Sequence, residues 1–117
     1  MIGQSIYDFI GDLFNIPRSI TGDGVRKTLE KIRKNHLSNL KIHEISTGTK
    51  IEDWVVPKEW NIYDAYIKNS RDEKIISIED NNLHIVGYSI PVDDSISLAE
   101  LNKHLYSLPD QPDAIPY

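Results

Sequence analysis

Thr21-Gly22-Asp23-Gly24, followed by Val25-Arg26-Lys27-Thr28-Leu29-Glu30-Lys31-Ile32, is the stretch that decides the fold. Its first four residues favour turns, and its continuation carries apolar residues at steps of four and three. A helix is therefore expected from about Asp23, whose carboxylate suits the free amides of a first turn. Val25, Leu29 and Ile32 form its inner stripe, while Lys27, Glu30, Lys31, Arg33 and Lys34 face water. The basic residues gather late, where they complement the negative end of the helix dipole.

Upstream, Ile2, Ile6, Phe9, Ile10, Leu13 and Phe14 lie on one helical stripe, with Gln4, Asp8 and Asp12 off it. Pro17 and the Thr21 to Gly24 cluster end that helix. Downstream, the period changes. A short strand is expected over 40–44, sharing Leu40, Ile42 and Glu44 on one side and ending at Thr47-Gly48-Thr49-Lys50. Further strands are expected over 51–56, 60–67, 74–78 and 83–92, each rich in β-branched or aromatic residues. Asn69-Ser70-Arg71-Asp72 and Asp80-Asn81-Asn82 read as tight connections. Pro57 and Pro91 belong at strand ends or edges, because proline donates nothing to a ladder. Ser97-Leu98-Ala99-Glu100 is a capping box and predicts a helix over 97–105. The fold class is α+β: two N-terminal helices and a strand, then a β-rich antiparallel module with one short C-terminal helix. The division falls near Trp54, giving segments 1–53 and 54–117.

At 117 residues the chain allows one modest domain. A charge of −5 lacks the basic face that neutralises phosphates, so nucleic acid is not an expected partner. There are no cysteines, which removes disulfides, thiolate metal sites and a cysteine nucleophile. No basic leader opens the chain and no apolar run approaches about 18 residues. A cytoplasmic protein with no membrane partner is expected.

Chemistry is sparse. None of His36, His43, His84 and His104 stands in HExxH, HxH or a close cluster of metal-ligand spacing. His36 ends a helix, where an imidazolium is favourable. His43 alternates outward on the expected strand, and His84, between Leu83 and Ile85, is the histidine to watch. Ser19, Thr21, Thr47 and Thr49 flank glycines without a phosphate-loop pattern. Asp93-Asp94 reads as a solvated turn. A minor reading pairs His84 with Asp93 or Asp94 in a small hydrolase. Trp54 and Trp60, flanking Pro57, suit either core packing or a ligand surface. No catalytic, cofactor-binding or metal-binding residue is assigned.

Ordered blocks nonetheless carry a resemblance. Arg18-Ser19-Ile20-Thr21-Gly22-Asp23-Gly24-Val25-Arg26 with Thr28-Leu29, Ser46-Thr47-Gly48-Thr49-Lys50, and Asp53-Trp54-Val55-Val56-Pro57-Lys58-Glu59-Trp60-Asn61-Ile62 are three of them. Asp64-Ala65-Tyr66-Ile67, Asn82-Leu83-His84-Ile85-Val86, Tyr88-Ser89-Ile90-Pro91-Val92, and the tail from Leu108-Pro109 to Ile115-Pro116-Tyr117 complete the set. Together they resemble the opening of a bacterial aminopeptidase-like family, relatives of zinc exopeptidases often described as polysaccharide-biosynthesis proteins. The resemblance implies a protein several times longer, with a metallopeptidase-like α/β core, an inserted β-rich module and a winged-helix-like C-terminal domain. Residues 1–53 would open the core and 54–117 would form part of the inserted module, a domain of unknown function. Zinc is implied for full-length relatives, on residues of later blocks, and no cofactor for this chain. The chain is then expected to be an inactive N-terminal fragment of an enzyme hydrolysing an N-terminal peptide or related amide bond. Its partner would be the remainder of that protein, with self-association through uncovered helix stripes. The alternative is a non-catalytic binding module, with Trp54, Trp60, His84 and Arg18 as the candidate surface.

Overall fold

A computed structural model describes residues 2–116. Helix α1 runs Ile2–Phe14 and helix α2 runs Asp23–Asn35. Four short strands follow: β1 Lys50–Ile51, β2 Trp54–Val55, β3 Tyr66–Lys68 and β4 Lys74–Ser77. A 3-10 turn covers Asn82–His84, and α3, Leu98–Leu101, continues into a second 3-10 turn at Asn102–His104. The class is α+β, with two N-terminal helices, antiparallel strands and a short C-terminal helix.

Both long helices sit where their stripes place them. The last turn of α1 is closed by Arg18, whose guanidinium Nη1 donates to Leu13 O at 2.7 Å and Ile16 O at 3.3 Å. A cation on the terminal carbonyls meets the negative end of the dipole. Helix α2 meets α1 edge-on: the rings of Phe9 and His36 lie 4.1 Å apart at 68°, and Lys31 Nζ donates to Asp12 O. His36 thus stands at the C-terminus of α2, as its position in the sequence suggests.

The strands form two separate antiparallel hairpins. In the first, Lys50 pairs with Val55 and Ile51 with Trp54 across a two-residue turn, with Glu52 at φ 52°. Positive φ at the first turn residue matches the twist of the flanking strands. In the second, Tyr66 pairs with Ser77 and Ile67 with Ile76, and a bulge follows at Lys68. Asn69 shapes that turn, its Oδ1 accepting the amides of Arg71 and Glu73. Tyr66 lies under two ammonium groups, Lys74 at 4.8 Å and Lys68 at 5.4 Å from its ring centre.

Several expected strands do not form. Residues 40–44 run without ladder partners, and pairing over 60–67 begins only at Tyr66. The apolar run 83–92 is not a strand. Asn81 Oδ1 accepts the amide of Leu83 and starts a 3-10 turn, and Tyr88 at φ 65° breaks the extended path. Local side-chain bonds outcompete the ladder there. The capping box is half made: Ser97 Oγ accepts from Glu100 N at 3.2 Å, but the Glu100 carboxylate turns to Lys103. The helix it starts is one turn of α followed by 3-10. Tyr117, the last residue of the expected connecting tail, lies outside the described residues.

Among the described residues no apolar side chain is fully buried; Ser77, 3% exposed, is the buried polar one. The accessible surface is 10297 Å². A compact monomer of this mass exposes roughly 6,500 Å². The radius of gyration, 18.0 Å, likewise exceeds the about 13 Å of a compact chain of this length. The secondary structure is formed, and its apolar faces are left largely uncovered among the described residues.

Candidate functional site

The best-built region is a polar clasp joining the start of α2 to two distant loops. It begins at Gly22, buried and held at φ 91°. Only glycine adopts this backbone without strain. A Cβ here would fall on Trp60 O and lie 2.5 Å from Asn61 Oδ1, so the loop at 60–61 is in backbone contact. Asn61 uses that closeness. Its Oδ1 accepts Asp23 N at 2.7 Å and caps α2, which has no side-chain cap from its own N-cap residue. The expected cap on Asp23's own carboxylate is not made; that carboxylate receives Arg26 instead.

Thr21 ties the second loop. Its Oγ1 accepts Trp60 N at 3.1 Å and lies 2.7 Å from the Tyr88 hydroxyl. The Trp60 indole stacks on the Tyr88 ring at 6.0 Å and donates from Nε1 to Ser89 O at 2.9 Å. Arg26 grips Glu59 with both guanidinium nitrogens, Nη1 reaching Oε1 at 2.9 Å and Nη2 pairing with Oε2. Asn61 Nδ2 also donates to Glu59 Oε1. Hydrogen bonding from Arg26, then from Asn61, together with the Arg26 charge, holds the Glu59 carboxyl down to about 2, and the Arg26 guanidinium is raised in turn.

The candidate residues scatter around this clasp. Trp60 is part of it, half-buried and committed to internal bonds. Arg18 caps α1 and borders, with Trp60, Lys27 and Tyr63, a cleft of about 120 Å³. That is smaller than the roughly 300 Å³ at which small-molecule pockets begin. Trp54 stands apart on the first hairpin, 47% exposed beside Val55. His84 stands apart as well, its Nδ1 2.9 Å from Ser77 O. Its ring bonds Ser77 O and neither Asp93 nor Asp94, and the Asp94 carboxylate accepts the Ser95 amide. The acid–base pairing of His84 with Asp93 or Asp94 is therefore not assembled among the described residues. A broader, open depression of about 510 Å³ runs along Glu30, Arg33, Lys34, Ser38, Asn39 and Leu40, where the Glu30 carboxylate is paired with Arg33.

Among the described residues, no three His, Asp or Glu side chains converge as ligands for a metal ion. The side chains present do not fit zinc. What the clasp does is structural: it fixes α2 against loops 38 and 67 residues further along the chain.

Residues 59–117, from Glu59 in the clasp onward, match the family described as domain of unknown function DUF2172. The chain belongs to the DUF2172 family. This DUF2172 chain is also related to a bacterial aminopeptidase-like protein. It is 54% identical over 115 residues to a candidate polysaccharide biosynthesis protein with an aminopeptidase-like domain from Clostridium acetobutylicum. The match takes in 98% of this chain and 26% of that protein. It is also similar to the crystal structure, at 2.37 Å, of a candidate peptidase from the same organism, with a TM-score of 0.89 and 52% identity. That alignment covers 94% of this chain and 26% of the crystallised one. The chain thus spans about a quarter of the length of each relative. Of the clasp, Thr21, Gly22, Asn61 and Tyr88 carried no local signal of their role beyond turn propensity, since each partner lies far away in sequence.

Proposed function

We propose that this chain is the non-catalytic opening of an aminopeptidase-like hydrolase, a scaffold layer rather than a reaction centre. The observation that carries this reading is the 0.89 TM-score over 94% of the chain, reached without one fully buried apolar side chain among the described residues. A backbone so similar to part of a longer protein, yet lacking its own core, belongs against a body that supplies one. In this proposal 1–53 opens the hydrolase core and 54–117 is part of a module inserted into it. The clasp holds the two together through Thr21, Gly22 and Asn61. The complete protein would be cytoplasmic and would hydrolyse an N-terminal peptide or related amide bond. Zinc would supply Lewis acidity there, on residues outside this chain.

The test is a chimera in which this chain replaces the matched quarter of the Clostridium acetobutylicum relative. Zinc content and release of N-terminal residues from peptides are expected in the chimera and in neither case for the chain alone. Stoichiometric zinc on the isolated chain would overturn the reading.

A second reading is favoured by Trp54, exposed on a hairpin beside exposed Val55. Aromatic side chains on a rigid turn suit recognition of a glycan or peptide. Titration with such ligands would then change Trp54 fluorescence, and a flat response across both classes would dispose of it.

A further inference from the structure

On a helical projection at about 100° per residue, the apolar residues of α1 span an arc of roughly 160° from Phe9 through Ile2, Leu13, Ile6, Ile10 and Phe14 to Tyr7. One packing neighbour covers much less than that. Phe9, at one edge, meets His36 of α2. Leu13 is half-buried, and the remainder is open: Ile6 is 54%, Ile10 57%, Phe14 58% and Tyr7 73% exposed. The opposite side is polar and self-satisfied, with Gln4 Nε2 donating to Asp8 Oδ1 at 2.7 Å. Yet α1 is not a loose tail. Lys31 holds Asp12 O, Arg18 holds Leu13 O, and Asn82 Nδ2 donates to Phe14 O at 2.6 Å from 68 residues away. The helix is fixed in direction with an uncharged face left open.

We infer that Ile6, Tyr7, Ile10 and Phe14 form a docking face for the body of the aminopeptidase-like protein, the polypeptide beyond the matched quarter, so that α1 is packed along its apolar arc by α2 at one edge and by that body over the rest. It rests on the scaffold function proposed above. Area decides the occupant. The chain exposes roughly 3,800 Å² more than a compact monomer of its mass. A second copy meeting it through a standard interface hides about 800 Å² on each side, about a fifth of that excess. A body about three times the length of this chain, as the 26% coverage gives for the relatives, has the surface to hide it. The absence of charge along the arc fits an apolar layer of such a body, since an acidic or basic partner would find nothing to pair with.

The experiment compares hydrogen exchange along α1 in the chimera described above, unsubstituted and as Ile6→Asp/Ile10→Asp. A buried, unpaired carboxylate is costly, so α1 amides should exchange about a hundredfold faster in the double variant. Asp8→Ser, on the polar side, should change them no more than about twofold, the share of its i,i+4 bond with Gln4. Ile10→Ala, which removes volume without adding charge, should speed exchange in α1 while leaving the 66–77 hairpin alone, even if the double variant does not fold. Equal exchange in the unsubstituted and Ile10→Ala chimeras overturns the docking face and leaves the scaffold function standing. A discrete dimer of the isolated chain, with α1 protected, overturns it in favour of a second copy. A chimera that does not assemble at all overturns the scaffold function and the docking face with it.

Discussion

Asn61 Oδ1 accepts the backbone amide of Asp23 at 2.7 Å, so the first turn of α2 is capped by a side chain 38 residues downstream. Capping residues normally belong to the helix they cap. Here the cap is also a tertiary bond, which makes α2 depend on the 59–62 loop. Replacing a capping residue by alanine costs about 1 kcal/mol. In the chimera, Asn61→Ala should therefore speed exchange of the first-turn amides of α2 about fivefold and leave its last turn unchanged. Asn61→Asp should do no better, because it loses the Nδ2 donor to Glu59 and sets two carboxylates side by side.

Gly22 is the second dependency. Alanine there would have to keep φ near 91° and share space with Trp60 O, a backbone atom that cannot rotate away. Strain of this kind costs on the order of 1–3 kcal/mol before the clash is counted. Gly22→Ala should thus be more damaging than Asn61→Ala, read as a larger drop in the melting temperature of the chimera.

The Arg26–Glu59 pair sets a pH window. The folded Glu59 carboxyl titrates at about 2 against an ordinary 4.5, so the depressed group favours the clasp above about pH 4.5. That contribution fades as pH falls from about 4.5 to about 2, where Glu59 protonates even in the clasp. Both partners are solvent-exposed, so the effect is modest and salt-sensitive. Carboxyl resonances followed by NMR should show the low midpoint at Glu59, and Glu59→Gln should flatten the acid dependence of α2 exchange. An unshifted Glu59 midpoint would mean the pair does not form.

The two tryptophans should separate in fluorescence. Trp60, stacked on Tyr88 and bonded to Ser89 O, is shielded, while Trp54 is 47% exposed. In the isolated chain, whose two tryptophans these are, Trp54→Phe should remove most of the iodide-quenchable emission and Trp60→Phe little of it. The reverse result would place Trp54 inside and end its candidacy as a surface.

The helices were legible because their evidence is local: stripes such as Val25, Leu29 and Ile32 repeat within one element. The turn at 69–72 was legible for the same reason, since Asn69 bonds amides only two and four residues away. Residues 83–92 misled because β-branched composition says nothing of Asn81 capping a 3-10 turn or of Tyr88 turning at positive φ. The clasp was hidden more deeply. Thr21 and Gly22 signal only a turn, and their partners Trp60, Asn61 and Tyr88 become neighbours through the fold alone. Arg18 and Trp60, both singled out by sequence, do border one cleft; Trp54 and His84 lie elsewhere.

In the scaffold function proposed above, this chain forms its elements but takes its core from another body. Urea unfolding of the isolated chain, followed by circular dichroism and tryptophan fluorescence together, tests it most directly. Without a buried core the two signals should change gradually and at different concentrations, with a slope well below about 1 kcal/mol per M. A single coincident transition with a slope of about 1–3 kcal/mol per M, as a self-sufficient small domain gives, would contradict it.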